Sequence, residues 1–197
     1  MPPPRFGRPF ARRELRVRSV RSPAIRRWAV RRAYLLWTVA AAGFAVDQIT
    51  KAIAAVVVEG HEPRDALGGA VTFTAFRNSG AAGSFAPRAT LLFTLVAIVA
   101  LVAIARVAGS IRSTGWAVGL GLIFAGAGGN LADRLFRTPG FGRGAVLDFI
   151  QIGDSGIFNL ADQCITAGAA IVLIQSFRGV PLRAAVTSGV GKQALER

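Results

Sequence analysis

Four long apolar stretches dominate this chain of 197 residues and restrict the folds open to it. They cover residues 33–58, 89–108, 115–136 and 156–177. A helix needs about 20 mostly apolar residues to cross a hydrocarbon layer of about 30 Å. Only helices and closed barrels satisfy backbone polar groups in lipid, and these stretches lack the alternation of barrel strands. The sequence therefore predicts an all-α membrane domain of four transmembrane helices over residues 33–177.

Positive charge is placed unevenly around these stretches. The chain has a net charge of +14, and eleven arginines precede residue 33. Arg106 and Arg112 border the short link between the second and third stretches, and more basic residues follow the fourth. Because loops rich in basic residues stay in the cytoplasm, the pattern predicts that both termini are cytoplasmic. The loops at 59–88 and 137–155 are then predicted to lie outside.

The arginine-rich segment 1–32 has two interpretations. A basic patch can bind nucleic acid, but arginines next to a membrane span are explained by topology and by anionic lipid headgroups. The sequence therefore predicts a membrane-lipid partner and no nucleic acid. Prolines near the start favour a disordered cytoplasmic tail over residues 1–32, and residues 178–197 are expected to form a second cytoplasmic tail.

Cysteine and histidine are scarce, which limits the available chemistry. Cys164 is the single cysteine and His61 the single histidine. Neither belongs to a metal-binding spacing, and no phosphate-binding glycine motif is present. The sequence therefore predicts no metal and no cofactor, and a monomer is the expected state.

Four aspartates lie in or beside the apolar stretches, although the chain has only 10 acidic residues. A carboxylate near hydrocarbon is costly unless it is paired or hydrated, so such residues indicate a functional site. At 1.5 Å per residue, Asp47 lies about 21 Å and Asp133 roughly 27 Å from the cytoplasmic ends of their helices. Asp162 lies about 9 Å below the outer end of the fourth helix, and Asp148 belongs to an outer loop. The four carboxylates are predicted to converge at the outer membrane interface.

Two classes of function are open for such a cluster. Ion-coupled transporters hold their sites near the membrane midplane, usually between inverted repeats or broken helices, and no internal repeat is evident in this sequence. Two neighbouring carboxyl groups can instead share one proton, so that one activates water while the other polarises a carbonyl. The predicted position near the outer surface favours an aspartyl hydrolase.

Five short blocks surround the aspartates, in the order DQITK, FRNSGAAGSF, GGNLADR, VLDFI and FNLADQ. Together they resemble the signature blocks of the lipoprotein signal peptidases, signal peptidase II, over about residues 35 to 177. The resemblance implies an intramembrane aspartic endopeptidase of the bacterial cytoplasmic membrane. Such an enzyme cleaves the signal peptide from diacylglyceryl-modified prolipoproteins, on the N-terminal side of the lipid-modified cysteine.

The resemblance also implies roles for individual residues. The catalytic pair of the family matches Asp148 and Asp162. Other matched positions line the substrate cleft or support the site, namely Asn78, Gly80, Asn130, Arg134 and Asn159, or hold it together by charge, namely Asp47, Lys51 and Asp133. The FRNSG segment resembles an extracytoplasmic β element that cradles substrate. Gly83 and Gln163 depart from the family pattern and bear on the shape of the pocket.

Structural roles are also open for some of these residues. Asp47 and Lys51 are four residues apart, a spacing that favours a structural ion pair on one helix face. Asn130 and Asp133 share a face, while Arg134 can be an interface anchor whose charged end reaches out to water.

The aspartates near the outer loops have local structural interpretations too. Asp148 alone fits a turn, and Asp162 with Asn159 fits a cap at the start of the fourth helix. The cap is the less favoured interpretation, because Asp162 lies several residues inside the apolar stretch. Alternation over residues 70–77 predicts a surface strand, and the small residues of the third and fourth stretches predict close helix packing.

Overall fold

The computed structural model describes residues 23–79, 86–138 and 140–183, with side chains from residue 30 in the first segment and residue 90 in the second. Four long helices form its main body, and each contains a segment apolar and long enough to cross a membrane. They are α1 (Pro23–Val57), α2 (Ala86–Ala108), α3 (Thr114–Phe136) and α4 (Leu160–Phe177). The predicted fold of four membrane helices is confirmed within this described part.

Two helix boundaries differ from the prediction. α1 begins at Pro23 instead of residue 33, so residues 23–32 are helical and do not belong to a disordered tail. Alanine and arginine favour helix, and proline is well suited to the first helical position, so the helix continues beyond the apolar stretch. α4 begins at Leu160 instead of residue 156. The rest of the predicted N-terminal tail, and residues 184–197 of the C-terminal one, lie outside the described part of the chain. Residues 178–183 are described and contact the helices, since Trp116 Nε1 donates to the carbonyl oxygen of Val180.

A small antiparallel sheet accompanies the helices. Its strands are β1 (Arg64–Ala66), β2 (Val71–Asn78) and β3 (Val146–Ile152), in the order β1-β2-β3. β2 confirms the strand predicted over residues 70–77. β3 was not predicted, and Asp148, expected in a loop or turn, lies within it opposite Phe76 of β2. Pairing with a strand about 70 positions earlier leaves no local signal for β3, because the strand is buried and does not alternate.

Glycines let α3 approach both α1 and α4 closely. A Cβ atom on Gly126 would overlap the carbonyl oxygen of Ala161 in α4. A Cβ atom on Gly121 would lie 2.8 Å from the carbonyl oxygen of Leu36 in α1, which is closer than packed atoms approach. The close packing predicted from small residues is therefore confirmed, and α3 packs against α1, α2 and α4.

The start of α1, the α2–α3 link and the end of α4 form what we call the arginine end of the molecule. Its interior is apolar: Leu36 and Ile111 are fully buried against Ile104 and Ala117. Ser113 caps α3 by accepting a hydrogen bond from the backbone N–H of Trp116. Leucine, isoleucine and alanine packing therefore holds this end together.

The opposite end, which we call the carboxylate end, comprises the end of α1, the end of α3, the start of α4 and the sheet. Leu147 and Phe149 of β3 pack on Ala54 near the end of α1. This contact fixes the sheet against the helices. Polar residues occupy the space between β3, α3 and α4.

Candidate active site

Asp148 lies on β3 and is 1% exposed. The Asn78 side-chain Nδ2 donates a hydrogen bond to its Oδ2 over 2.9 Å, and the Asn159 Nδ2 donates to its Oδ1. Burial raises the pKa of Asp148, and the nearby Asp162 carboxylate also raises it, whereas the two amide hydrogen bonds lower it. Because burial is the largest of these effects, the site favours the protonated form of Asp148.

Asp162 lies in the first turn of α4 and takes part in a capping box. Its Oδ2 accepts a hydrogen bond from the backbone N–H of Asn159 over 3.1 Å, and its own N–H donates to Asn159 Oδ1 over 3.0 Å. The Asn130 side chain donates to its Oδ1 over 2.9 Å. The cap interpretation, less favoured from the sequence, is therefore correct as a description of local structure, since α4 begins only at Leu160.

Asn159 connects the two carboxylates. Its side-chain amide donates to Asp148 and accepts from the backbone of Asp162, while its own backbone N–H donates to the Asp162 carboxylate. Asn159 is fully buried, so these bonds replace the water that the amide would otherwise contact. One residue therefore fixes the position of Asp148 in β3 relative to the first turn of α4.

A buried ion cluster lies beside this pair and is centred on Lys51. The Lys51 ammonium is 3.1 Å from Asp47 Oδ2 and 2.9 Å from Asp133 Oδ2. It also donates to Asn130 Oδ1 over 2.9 Å, and Asn130 in turn donates to Asp162. The predicted ion pair between Asp47 and Lys51 is confirmed, and the shared face of Asn130 and Asp133 brings both to the same lysine.

The two carboxylates of the ion cluster also hold backbone groups. Asp47 Oδ1 accepts from the N–H of Ala161 over 2.9 Å, which ties α1 to the first turn of α4. Asp133 Oδ2 accepts from the N–H of Leu147 over 3.3 Å, which ties α3 to β3. A Cβ atom on Gly129 would overlap Asp47 Oδ2, so glycine is needed where Asp47 approaches α3. The cluster thus positions the elements that carry Asp148 and Asp162.

Arg134 lies near the pair without contacting it directly. Its NH1 donates to the carbonyl oxygen of Asn130 over 3.3 Å, and its guanidinium lies 5.7 Å from the ring centroid of Phe93 in α2. Its Nε is buried with no hydrogen-bond partner in the described part of the chain. Arg134 is therefore partly buried beside the site instead of reaching freely into water.

Two members of the site were missed from the sequence. The Gln48 amide donates to Asp47 Oδ2 over 3.0 Å and to the Gly129 carbonyl over 3.3 Å. Arg137 is 2.6 Å from Asp133 Oδ1. A signal was present for Arg137, since it follows Asp133 by four residues, but the predicted third span ended at residue 136.

The remaining predicted positions add less. Gly80 and Gly83 lie outside the described part of the chain, and Gln163 is exposed on α4. Among the described residues, no group of three or more histidine, cysteine, aspartate or glutamate side chains is arranged to hold a metal ion. The donors that surround Asp148 and Asp162 are asparagine amides and backbone N–H groups, which suit carboxylates more than a cation.

Four apolar helices with two linked carboxyl groups at one end define a multi-pass membrane protein with a polar site. A model of the signal peptidase (SPase) II family matches residues 39–178. A lipoprotein signal peptidase of Streptomyces coelicolor is 43% identical over 150 residues, which cover 76% of this chain and 74% of that protein. One of Mycobacterium avium is 43% identical over 149 residues, which cover 76% and 82% respectively.

A solved bacterial membrane enzyme, determined by the in meso method at 2.3 Å resolution, shares this fold with a TM-score of 0.61. It is 26% identical, and the match covers 75% of this chain and 92% of that one. This chain belongs to the signal peptidase II family, as its motif blocks predicted. It is therefore a peptidase and a multi-pass protein of the bacterial cytoplasmic membrane.

Proposed function

We propose that this protein is an aspartic endopeptidase that removes the signal peptide from diacylglyceryl-modified bacterial prolipoproteins. Cleavage occurs on the N-terminal side of the lipid-modified cysteine, and Asp148 and Asp162 are the catalytic pair. The observation that carries the proposal is the link through Asn159, which hydrogen-bonds both carboxyl groups. The relatives named as lipoprotein signal peptidases support the choice of substrate.

The two carboxyl groups have different surroundings, which supports different roles. Burial raises the pKa of Asp148, so this residue is the acid that polarises the peptide carbonyl. Asp162 accepts from a backbone N–H at the start of α4 and from Asn130, and both the donors and the helix N-terminus favour negative charge. Asp162 is therefore the base that activates water.

Hydrolysis then proceeds in two steps, each with two proton transfers. Asp162 takes a proton from water as the oxygen attacks the carbonyl carbon, and Asp148 gives its proton to the carbonyl oxygen. When the C–N bond breaks, the amine leaves with the proton held by Asp162, and the new carboxyl group returns a proton to Asp148. Asn78, Asn130 and Asn159 hold the two carboxyl groups in place throughout.

The test replaces each carboxyl group by an amide of the same shape. Asp148→Asn and Asp162→Asn should each abolish cleavage of a lipid-modified prolipoprotein, because asparagine cannot exchange the proton. The double variant should be hardly worse than either single one, since the two residues act as a unit. Asp154→Asn, in an exposed turn after β3, is the matched control and should cleave normally. Substantial turnover by either folded catalytic-pair variant would reject the proposal.

We further propose that both termini are cytoplasmic and that the carboxylate end faces the outer leaflet, in a monomer surrounded by membrane lipid. Arginines at the opposite end support this orientation by the positive-inside rule. Residues 33–177 then form the peptidase domain, with cytoplasmic segments on either side. A reporter fused after Arg197 should be active in the cytoplasm, and a C-terminus labelled from outside would reverse the orientation.

A further inference from the structure

Leu147, the residue before Asp148, is held from two sides by ion pairs that the proposed reaction does not use. On one side, the Leu147 N–H donates to Asp133 Oδ2. On the other, Leu147 is the register partner of Arg77 in β2. Both neighbours carry charge, and each is paired with a second charged residue close to the surface.

The first ion pair joins Asp133 to Arg137. The Arg137 Nε is 2.6 Å from Asp133 Oδ1, while the Lys51 Nζ is 2.9 Å from Asp133 Oδ2. Asp133 is fully buried, whereas the Arg137 side chain is 21% exposed. Arg137 therefore restrains the rotation of a carboxylate whose other oxygen holds the Leu147 backbone.

The second ion pair joins β2 to the turn that follows α1. Arg77 donates from Nε and NH2 to the two carboxylate oxygens of Glu59, each over 2.7 Å. A guanidinium that binds both oxygens of one carboxylate is fixed in orientation as well as in position. Arg77 also precedes Asn78, which donates to Asp148 Oδ2. The pair thus anchors the strand segment that contacts Asp148.

We propose that Arg137, Glu59 and Arg77 are positioning residues for peptide hydrolysis, which hold β3 at Leu147 so that Asp148 lies correctly relative to Asp162. This inference rests on the proposed function, because it assigns a purpose to the location of the Asp148 carboxyl group. The three residues touch neither carboxyl group of the pair in the described contacts. They act through Asp133, Leu147 and Asn78.

The expected sizes of the effects on unfolding temperature and on kcat distinguish a positioning role from a purely stabilising one. The Glu59–Arg77 pair is partly exposed, and Asp133 keeps Lys51 as a partner when Arg137 is replaced, so loss of either pair should shift the unfolding temperature little. A displacement of about 1 Å at a catalytic group can lower the rate by roughly 100-fold. Loss of either pair should therefore affect kcat far more than it affects stability.

The experiment compares Arg137→Gln and Glu59→Gln with matched controls in full-length protein and lipid-modified prolipoprotein. We expect each to lower kcat roughly tenfold with KM nearly unchanged, since substrate binding does not depend on the Asp148 proton. Arg143→Gln removes an exposed arginine from the same α3–β3 link, and Asp65→Asn removes an exposed carboxylate from β1. Both controls should keep normal kcat.

Conservative and double variants exclude a purely structural explanation. Arg137→Lys keeps a charge near Asp133 and should recover part of kcat, whereas Arg77→Lys cannot bind both oxygens of Glu59 and should recover little. Glu59→Gln with Arg77→Gln should be no slower than either single variant. If Arg137→Gln fails to fold, Arg137→Lys and Glu59→Gln decide the result.

Two outcomes separate failure of this inference from failure of the proposed function. Normal kcat in folded Arg137→Gln and Glu59→Gln, while Asp148→Asn is inactive, would overturn the positioning role and leave the catalytic pair intact. Turnover by folded Asp148→Asn would instead reject the catalytic pair, and with it the purpose assigned to these residues. A lowered unfolding temperature with unchanged kcat would show that the ion pairs are structural.

Discussion

At the carboxylate end, Lys51 and Asp133 are fully buried and hydrogen-bonded, whereas at the arginine end Leu36 and Ile111 fill an interior of similar burial. Apolar side chains can be exchanged for others of similar volume at modest cost. A buried charge tolerates no such exchange, because each unpaired partner is left desolvated. The carboxylate end is therefore specified by directional contacts, whereas the arginine end is specified by the volume of its packed side chains.

The distribution of charge follows the same division. Each acidic residue of the described chain lies in the carboxylate end or in the sheet and loops beside it. The arginine end carries basic residues without a described carboxylate, namely Arg31, Arg32, Arg106, Arg112, Arg178 and Arg183. Negative charge is therefore concentrated where the site lies, whereas the arginine end combines basic residues with an apolar interior.

The largest effect that tests this comparison is expected at Lys51. Lys51→Met removes the cation that pairs with Asp47 and Asp133, leaving two buried carboxylates without it. We expect a loss of about 3–5 kcal/mol in stability. Activity should fall as well, because Asn130, which donates to Asp162, loses the hydrogen bond that it accepts from Lys51. Thermal unfolding and cleavage by the protein that remains folded, both in detergent micelles, measure the two effects.

Leu36→Ala at the arginine end is the matched comparison for Lys51→Met. It should cost about 2–5 kcal/mol through the cavity left behind. Its folded fraction should still cleave substrate normally, since Leu36 is far along α1 from Asp47 and contacts no site residue in the described clusters. Equal loss of activity per folded molecule in both variants would contradict the division between the two ends.

An effect of intermediate size is expected at the two helix caps, of which one lies at each end of the molecule. Ser113→Ala and Asn159→Ala each remove the side chain that caps a helix, α3 and α4 respectively. Each should cost about 0.5–2 kcal/mol in stability. Asn159→Ala should also lower kcat by roughly 100-fold, because it releases both Asp148 and Asp162. Similar kcat values for the two variants would show that Asn159 is only a cap.

The smallest effect concerns pH and Glu59, whose pKa is lowered by hydrogen bonds from Arg77. Ionised Glu59 then stabilises the fold above its ordinary pKa of 4.5, and this contribution is lost as the pH falls through the lower folded-state value. Glu59→Gln should therefore lower the unfolding temperature slightly at neutral pH. The difference in unfolding temperature from wild type should shrink as the pH falls below 4.5, and a difference that stays constant over this range would contradict the prediction.

Most of the fold was predictable because it depends on local composition. Four apolar stretches gave four helices, and alternation located β2. The start of α4 was misplaced because Gly156 and its neighbours are apolar enough to extend the stretch, whereas the cap at Asn159 decides where the helix begins. β3 was missed because its pairing with β2 is a long-range contact.

The candidate site was predictable to a different degree. The spacing of Asp47 and Lys51 indicated their ion pair, since neighbours on one helix face are fixed by local geometry. The motif blocks marked Asp148 and Asp162, but not how Asn159 joins them. Gln48 was missed because its contact with the Gly129 carbonyl depends on how α1 packs against α3.

Hydropathy and motif spacing were sufficient to establish that this protein is built from four membrane helices, that its carboxylates gather at one end, and to which family it belongs. The donor from which each carboxylate oxygen accepts depends instead on how the helices and strands pack. Asp47 accepts a hydrogen bond from the N–H of Ala161, 114 positions away, and Asp133 accepts one from the N–H of Leu147. Hydropathy is a property of each segment, whereas a hydrogen bond between segments exists only once their packing has fixed distance and direction.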